Sequence, residues 1–133
     1  MSSLKRAAAG VVLVASIVVG CGGTTTEATF ELVAPSVAAE VIAEESPVVL
    51  DVRTPEEFAE GHLAEAVLIN FYDTDFADQL DELDKEATYV VYCRSGNRSQ
   101  GAIDTMRDLG FTDVVEVDGG IQAWLSSGLT FGD

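Results

Sequence analysis

The chain has few of the side chains that build metal sites. Its 133 residues include one histidine and two cysteines, Cys21 and Cys93. A structural zinc ion is held by about four Cys or His ligands, and these residues fall short of that number. We therefore expect no metal site, and we expect no other cofactor.

Basic side chains are also scarce. The sequence has 7 Lys and Arg against 23 Asp and Glu, a formal net charge of −16 at pH 7. So acidic a protein is repelled by nucleic acid and by anionic membrane surfaces. We therefore expect no nucleic-acid partner and no electrostatic attraction to an anionic membrane surface. Much of the acid lies between Asp73 and Glu86, which we interpret as a solvated helix face with its flanks. A docking surface for a basic protein partner is the alternative interpretation.

The first twenty residues have the pattern of an export signal. Lys5 and Arg6 precede a compact apolar segment, residues 7–19, which is too short to span a membrane comfortably. Val18-Val19-Gly20-Cys21 resembles a bacterial lipobox, in which the cysteine is acylated and becomes the mature amino terminus. We predict a lipoprotein-type signal peptide over residues 1–20. Ordinary secretion and an uncleaved anchor are the alternatives.

This signal sets the expected domain organisation. Residues 21–29 are predicted to form a flexible tether and residues 30–133 a single domain. We expect the protein in the cell envelope, outside the cytoplasm and attached to a membrane by lipid on Cys21. With Cys21 acylated, Cys93 is the only remaining thiol, which excludes an internal disulfide and a resolving cysteine.

Strand and helix patterns alternate through the rest of the chain. That alternation predicts an α/β fold with a central parallel sheet of about five strands and helices on both faces. Thr54 and Glu57 are predicted to form a capping box at the start of a short helix. The predicted strands are 30–33 (at an edge), 48–52, 67–70, 89–92 and 114–117, and the predicted helices are 35–44, a short one from 55, 76–83, 99–109 and 121–125.

A cysteine follows the predicted strand 89–92. Residues 89–92 are an unbroken β-favouring run, and the loop 93–99 leads into an amphipathic helix. Backbone N–H groups in such a loop, together with the helix dipole, form a site for an anion. With Arg94 and Arg98 beside it, we expect a stabilised, nucleophilic thiolate at Cys93. A buried and inert structural cysteine is the alternative.

Other polar residues lie at strand ends and turns. Ligands of parallel-sheet folds bind at the carboxyl ends of the strands, so Arg53, which follows the second predicted strand, is expected near the thiol. Asp51 and Arg53 are predicted to brace the sheet edge and the neighbouring loop rather than to touch substrate. His62 is predicted to be structural rather than a catalytic base, and Trp124 is predicted to pack on the closing helix.

Three motifs together resemble those of the single-domain rhodaneses. The first runs from Asp51 to Phe58 and continues with Gly61-His62-Leu63 and Asn70. The second is the loop Cys93-Arg94-Ser95-Gly96-Asn97-Arg98-Ser99, and the third is Gly119-Gly120-Ile121 with Ala123-Trp124. They occur in the family's order and extend over most of the chain beyond the predicted tether.

The resemblance implies a rhodanese fold and sulfurtransferase chemistry. Cys93 would take a sulfane sulfur from thiosulfate or a persulfide donor, hold it as a persulfide, and pass it to a thiophilic acceptor such as cyanide or a thiol. The side chains of Arg94 and Arg98 would hold the anionic end of the donor, with salt bridges to the acidic surface as the alternative for each. The persulfide anion would be stabilised by the loop backbone of Arg94, Ser95, Gly96, Asn97, Arg98 and Ser99.

Two other functions stay open at this point. A non-catalytic module that binds sulfur, or relays it to a partner through its acidic face, is the main alternative. A phosphatase or arsenate reductase is a more distant one. Four residues separate Cys93 from Arg98, whereas related phosphatases have a longer loop that surrounds a tetrahedral oxyanion. The shorter loop favours sulfur over phosphorus.

Overall fold

The computed structural model describes residues 27–131. The predicted signal peptide, the predicted lipidation site Cys21 and most of the predicted tether lie outside the described residues. No helix within the described part is both long and apolar enough to cross a membrane. Its elements are β1 (Thr29–Val33), α1 (Pro35–Glu45), β2 (Val48–Asp51), α2 (Pro55–Glu60), β3 (Val67–Leu68), α3 (Phe76–Asp81), β4 (Thr88–Tyr92), α4 (Asn97–Leu109), β5 (Asp113–Val117) and α5 (Gly120–Ser126).

The five strands form one parallel sheet in the order β1-β5-β4-β2-β3. The central strand is β4, in which Val90 pairs with Val49 of β2 and with Val115 of β5. Strand β1 lies at one edge, as predicted, and its side chains are exposed or half-buried. The predicted parallel sheet of about five strands is confirmed.

Alternation along the strands divides the core into two layers. Tyr89 and Val91 of β4 belong to the layer that also contains the buried residues of α3 and α4. Val90 and Tyr92 belong to the opposite layer, with Trp124 of α5 and the buried residue of α1. Because β4 is apolar on both faces, it requires helices on both sides. The predicted placement of helices on both faces of the sheet is confirmed.

Three elements are shorter than predicted, and β2 is so by one residue, since it ends at Asp51. Strand β3 ends before Asn70, because the chain there enters a turn in which the Tyr72 N–H donates to the Asn70 side-chain oxygen, at 3.0 Å. Helix α3 ends before Leu83, whose N–H bonds the carbonyl of Leu80 instead of the carbonyl four residues back. That bond tightens the last turn and ends the regular α-helix.

The start of α2 carries the predicted cap. The Thr54 hydroxyl accepts from the Glu57 N–H at 3.2 Å, and the Glu57 carboxylate accepts from the Thr54 N–H at 3.1 Å. Pro55 occupies the first turn, where its missing N–H costs no helical hydrogen bond. The capping box is confirmed, and it fixes the path of the chain from β2 into α2.

A buried ion pair connects the end of β2 to the end of β4. Asp51 is fully buried, and its carboxylate accepts from the Arg53 guanidinium at 2.7 and 3.0 Å and from the Tyr92 hydroxyl at 2.6 Å. Arg53 also donates to the carbonyl of Gly61 at 2.7 Å. Burial, and then the charge of Asp51, raise the pKa of Tyr92, which keeps its hydroxyl protonated as a donor. These bonds hold β2, β4 and the turn after α2 together.

Arg53→Met is expected to lower the free energy of unfolding by ~3–5 kcal/mol, because it leaves the carboxylate of Asp51 buried without its cation. Arg107→Met is the matched control: Arg107 pairs with Asp104 at 3.4 Å on the surface, and its loss should cost about 1 kcal/mol or less. Denaturant unfolding of both variants measures the difference. Equal losses would contradict the bracing role of Arg53.

Candidate active site

Cys93 directly follows β4 and is fully buried. It continues the alternation of Tyr89 and Val91, and it belongs to the same layer of the core, on the α4 side of the sheet. The carboxyl ends of parallel strands meet at one edge of the sheet, where ligands of such folds bind. The thiol therefore lies at the position in the fold where a reacting group is expected.

Two groups lie at hydrogen-bonding distance from the sulfur. The Gly96 N–H donates to Sγ at 3.0 Å, and Sγ lies 3.5 Å from the hydroxyl oxygen of Ser99. Gly96 has a φ of +116°, a backbone conformation that residues with a side chain rarely adopt. A backbone N–H directed at sulfur stabilises negative charge there. The loop is thus suited to hold a sulfur anion.

Helix α4 begins at Asn97, two residues earlier than predicted. Gly96 is its N-cap, and the Gly96 carbonyl already accepts from the N–H of Gln100 at 3.3 Å. Arg98 and Ser99 consequently lie in the first helical turn, while Ser95 and Asn97 are exposed. The apolar periodicity marks only the buried stripe further along the helix, so it did not reveal this polar first turn.

The two arginines of the loop have different surroundings. Arg98 forms a bidentate ion pair with Glu57, at 2.7 and 2.9 Å, and its guanidinium lies over the ring of Tyr72. The hydrogen bond from Arg98 lowers the pKa of Glu57 to about 2, so the pair stays ionised well into the acid range. Of the two interpretations offered for Arg98, the salt bridge is the one observed. This salt bridge connects the cysteine loop to the start of α2.

Arg94 is exposed and forms no ion pair with any other residue of the 27–131 segment. It lines an open cleft of about 240 Å³, together with Gln122 of α5 and the acidic side chains Glu57 and Glu60 of α2. Its guanidinium is therefore available to an anionic ligand that approaches the loop.

The start of α5 holds the loop from the other side. The N–H groups of Ile121 and Gln122 donate to the carbonyls of Cys93 and Arg94, at 2.8 and 3.0 Å. A Cβ on Gly120 would lie 2.5 Å from the Cys93 carbonyl oxygen, and φ at Gly120 is +62°. A glycine is required for both reasons. The third motif therefore positions the backbone of the second.

Arg53 and Cys93 lie at the same edge of the sheet but on opposite faces. In the sheet register Asp51 pairs with Tyr92, and the side chain of Tyr92 points away from the Cys93 layer. The hydrogen bonds of the Arg53 side chain go to Asp51 and Gly61. Arg53 also lines the cleft that contains Arg94, the residue after Cys93, and its proximity to the thiol stays a prediction. The geometry of Asp51 and Arg53 is that of a brace.

His62 and Trp124 have structural contacts. The His62 ring stacks on Phe58 at a centroid distance of 3.7 Å, and its Nδ1 lies 3.0 Å from the Phe58 carbonyl. Trp124 is buried and donates from Nε1 to the Thr130 carbonyl at 2.8 Å. Within residues 27–131, no three or more His, Cys, Asp or Glu side chains are grouped so that they could hold a metal ion.

Sequence reasoning did not predict the side-chain roles of two residues at this edge of the sheet, Glu116 and Tyr92. The Ser99 hydroxyl donates to Glu116 at 2.7 Å, and the Tyr92 hydroxyl donates to Asp51. A signal for Glu116 was present: it has the same strand parity as Val114, which points into the core on the Cys93 side. A charged residue at an inward strand position needs a partner, and here the partner is Ser99.

The comparison with known proteins agrees with this geometry. The family model described as the rhodanese-like domain matches residues 34–127. The chain belongs to the rhodanese-like family. That match includes the capped start of α2, the cysteine loop and the start of α5.

Curated relatives and solved structures resemble this rhodanese-like domain over most of their length. The thiosulfate sulfurtransferase GlpE of Pseudomonas putida is 37% identical over 95 residues, which covers 71% of this chain and 84% of the relative. A rhodanese-related protein from Thermoplasma volcanium superposes with a TM-score of 0.61 at 30% identity, covering 77% of this chain and 94% of that one. A rhodanese-like domain protein from Staphylococcus aureus superposes with a TM-score of 0.62 at 32% identity, covering 71% of this chain and 90% of that one.

Gly120→Ala is expected to displace the cysteine loop of this rhodanese-like domain, because the new Cβ would overlap main-chain atoms of Cys93 and Arg94. We expect a loss of ~2–3 kcal/mol in unfolding free energy. We also expect a roughly 100-fold slower single-turnover reaction of the thiol with a sulfur donor, since misplaced groups react slowly.

Gly110→Ala is the matched control for this substitution. Gly110 has a φ of +96°, but among the described residues no heavy atom beyond Gly110 and its two chain neighbours lies within 4 Å of the position that a Cβ would take there. Ala at this position therefore adds backbone strain of ~1–2 kcal/mol and leaves the loop in place. Its thiol reaction rate should equal that of the unaltered protein. A Gly120→Ala variant that reacts as fast as Gly110→Ala would contradict the positioning role of α5.

Proposed function

We propose that this protein is a sulfurtransferase in which the sulfur of Cys93 carries a sulfane sulfur as a persulfide. The observation that carries the proposal is the position of the thiol, at the end of the central strand with the Gly96 N–H 3.0 Å from Sγ. The relatives named as thiosulfate sulfurtransferases support the same chemistry and suggest thiosulfate as one donor.

The reaction takes place in two transfers. In the first, the Cys93 thiolate attacks the outer sulfur of thiosulfate, a new S–S bond forms, and sulfite leaves with the electron pair of the broken bond. In the second, a thiophilic acceptor such as cyanide or a thiol attacks the terminal sulfur of the persulfide and releases the Cys93 thiolate. The Gly96 N–H stabilises the negative sulfur in both stages.

Arg94 is the side chain suited to the anionic end of the donor. Its guanidinium is exposed beside the loop, whereas that of Arg98 is engaged by Glu57. An arginine binds the oxygens of an anionic donor through paired N–H groups. One arginine also offsets, at short range, the repulsion that the acidic surface exerts on an anion, because salt screens the more distant charges beyond roughly 8–10 Å.

The first test is the intact mass of the purified protein after exposure to thiosulfate. We expect a gain of one sulfur atom, which cyanide removes and which Cys93→Ser prevents while the fold stays intact. Absence of an adduct with either thiosulfate or polysulfide, in a folded protein whose thiol is reduced, would contradict the proposal.

The cyanide step also separates the enzyme from a relay module. A module that passes sulfur only to a partner protein would form the Cys93 persulfide but would release its sulfur to cyanide no faster than the uncatalysed reaction of cyanide with a persulfide. For such an acceptor the chemistry of this chain favours a basic protein, because the net charge is −16. Release to cyanide at a catalytic rate favours the enzyme acting on small acceptors.

We further propose that the protein acts outside the cytoplasm, attached to a membrane through lipid on Cys21. The support is the sequence pattern alone, a basic start, a short apolar segment and the lipobox-like Val18-Val19-Gly20-Cys21. Mass spectrometry of the membrane fraction should find a chain that begins at Cys21 and carries acyl groups. Cys21→Ser should remove both the processing at this site and the acyl mass. An unacylated chain cleaved elsewhere, or an uncleaved one, would contradict lipidation.

A further inference from the structure

Hydrogen bonds lead from the sulfur of Cys93 to a carboxylate that none of the three motifs contains. Sγ lies 3.5 Å from the Ser99 hydroxyl oxygen, and that oxygen lies 2.7 Å from Oε2 of Glu116. Cys93 and Ser99 are fully buried, and Glu116 is half-buried on β5. The carboxylate is thus two hydrogen bonds away from the reacting atom.

The single proton of the Ser99 hydroxyl makes this connection directional. Two acceptors face it, the Gly96 carbonyl at 3.2 Å and the Glu116 carboxylate at 2.7 Å. While Glu116 is ionised, the shorter, charge-assisted bond holds the proton, and a lone pair of the hydroxyl oxygen faces the sulfur. That arrangement suits a neutral Cys93 thiol, which can donate to Ser99.

Protonation of Glu116 reverses the direction of both bonds. A neutral carboxyl can donate to the Ser99 oxygen, and the Ser99 proton is then free to bond the sulfur. That second arrangement suits a sulfur anion, either a thiolate or a persulfide. The two arrangements contain the same number of protons. They differ only in the place of one of them, which is on the thiol in the first and on the carboxyl in the second.

We propose that Glu116 accepts the proton of the Cys93 thiol through the Ser99 hydroxyl, so that Ser99 and Glu116 are positioning residues that set the protonation state of the nucleophile. The inference deepens the proposed function and rests on it, since Cys93 is taken as the reacting atom. It assigns a role in the reaction to a residue of β5.

In the first transfer, in which Cys93 takes up the sulfane sulfur, protons and charges balance without any further group. The thiol proton moves to the Ser99 oxygen as the Ser99 proton moves to Glu116. The sulfur electron pair then forms the bond to the sulfane sulfur, and sulfite leaves with the pair of the broken bond. A persulfide anion and a neutral carboxyl replace a neutral thiol and a carboxylate. After transfer to the acceptor, the Cys93 thiolate recovers its proton from Glu116 by the same path.

The surroundings of Glu116 favour uptake of a proton. Burial is the largest effect and raises the pKa of its carboxyl. The hydrogen bond from Ser99 opposes it as the second-largest effect, and the charges of Asp118 and Asp104 add smaller effects that raise the pKa. Glu116 also shares a cleft of about 220 Å³ with Glu31 of β1 and Arg107 of α4. Among the described residues that line this cleft, Arg107 is the one cation, and Asp104 accepts a hydrogen bond from it.

The test is a pH titration of the ultraviolet absorbance of the thiolate. It uses the full chain carrying Cys21→Ser, in which Cys93 is the only thiol, with Cys93→Ser as the blank for tyrosine absorbance. We expect a two-step curve, because the thiol and the Glu116 carboxyl titrate as a coupled pair. In Glu116→Gln we expect one step. Its midpoint should lie on the order of one pH unit below the upper midpoint of the unaltered protein, since the neighbouring negative charge is gone.

Two further variants separate the relay from a simple charge effect. Glu31→Gln removes one negative charge from the same cleft without touching Ser99, and it should leave the curve unchanged. In a Ser99→Ala background, Glu116→Gln should shift the midpoint much less than it does with Ser99 present, because the connection is already broken. A shift of the same size in both backgrounds would overturn the relay. So would a Glu116→Gln curve that superimposes on that of the unaltered protein.

A reciprocal measurement keeps the inference testable if Glu116→Gln unfolds. The side-chain carboxyl of Glu116 can be titrated by NMR in the otherwise unaltered protein, and its midpoint should move when Cys93→Ser removes the coupled proton site. An unmoved midpoint would overturn the coupling. None of these readouts needs sulfur transfer, so a failure here is distinguishable from a failure to form the persulfide.

Discussion

Two adjacent residues at the end of β4 point in opposite directions, and the rest of the site depends on that alternation. Tyr92 faces α1 and α5 and joins the buried pair of Asp51 and Arg53. Cys93 faces α4 and meets Gly96 and Ser99. A shift of the strand by one residue would exchange the two sides and place the thiol in the brace. One strand end thus provides both the structural anchor of the sheet edge and the nucleophile.

The cysteine loop is held from several directions, by bonds that do not involve the sulfur. Arg98 ties it to α2 through Glu57, and the first N–H groups of α5 bond the carbonyls of Cys93 and Arg94. The groups that face the sulfur are a backbone N–H and a short hydroxyl, which have little freedom to move once the loop is fixed. Such preorganisation stabilises a developing sulfur anion without reorganisation at the moment of reaction. Local charge matters more here than the net charge of −16, since Arg98 is neutralised and Arg94 remains exposed at the loop.

Sequence reasoning predicted the strands and their order along the chain because the signals are short-range. The apolar run before Cys93, the capping box of Thr54 and Glu57 and the alternation of strands with amphipathic segments each span only a few residues. Element ends were less predictable: the ends of β3 and α3, and the start of α4, depend on single turn hydrogen bonds that have no periodic signature.

The sequence by itself determined a parallel α/β sheet, a cysteine at the end of an unbroken apolar strand and a glycine-containing loop after that cysteine. Only the tertiary structure decided which partners the loop residues have. Arg98 and Glu57 are 41 residues apart in the chain, and Ser99 and Glu116 are 17 apart. Whether such residues meet depends on the strand order and on which face each side chain takes. The register of β2, β4 and β5 sets both, and so it directs Arg53 to the brace and Glu116 to the side of the sheet that carries the thiol.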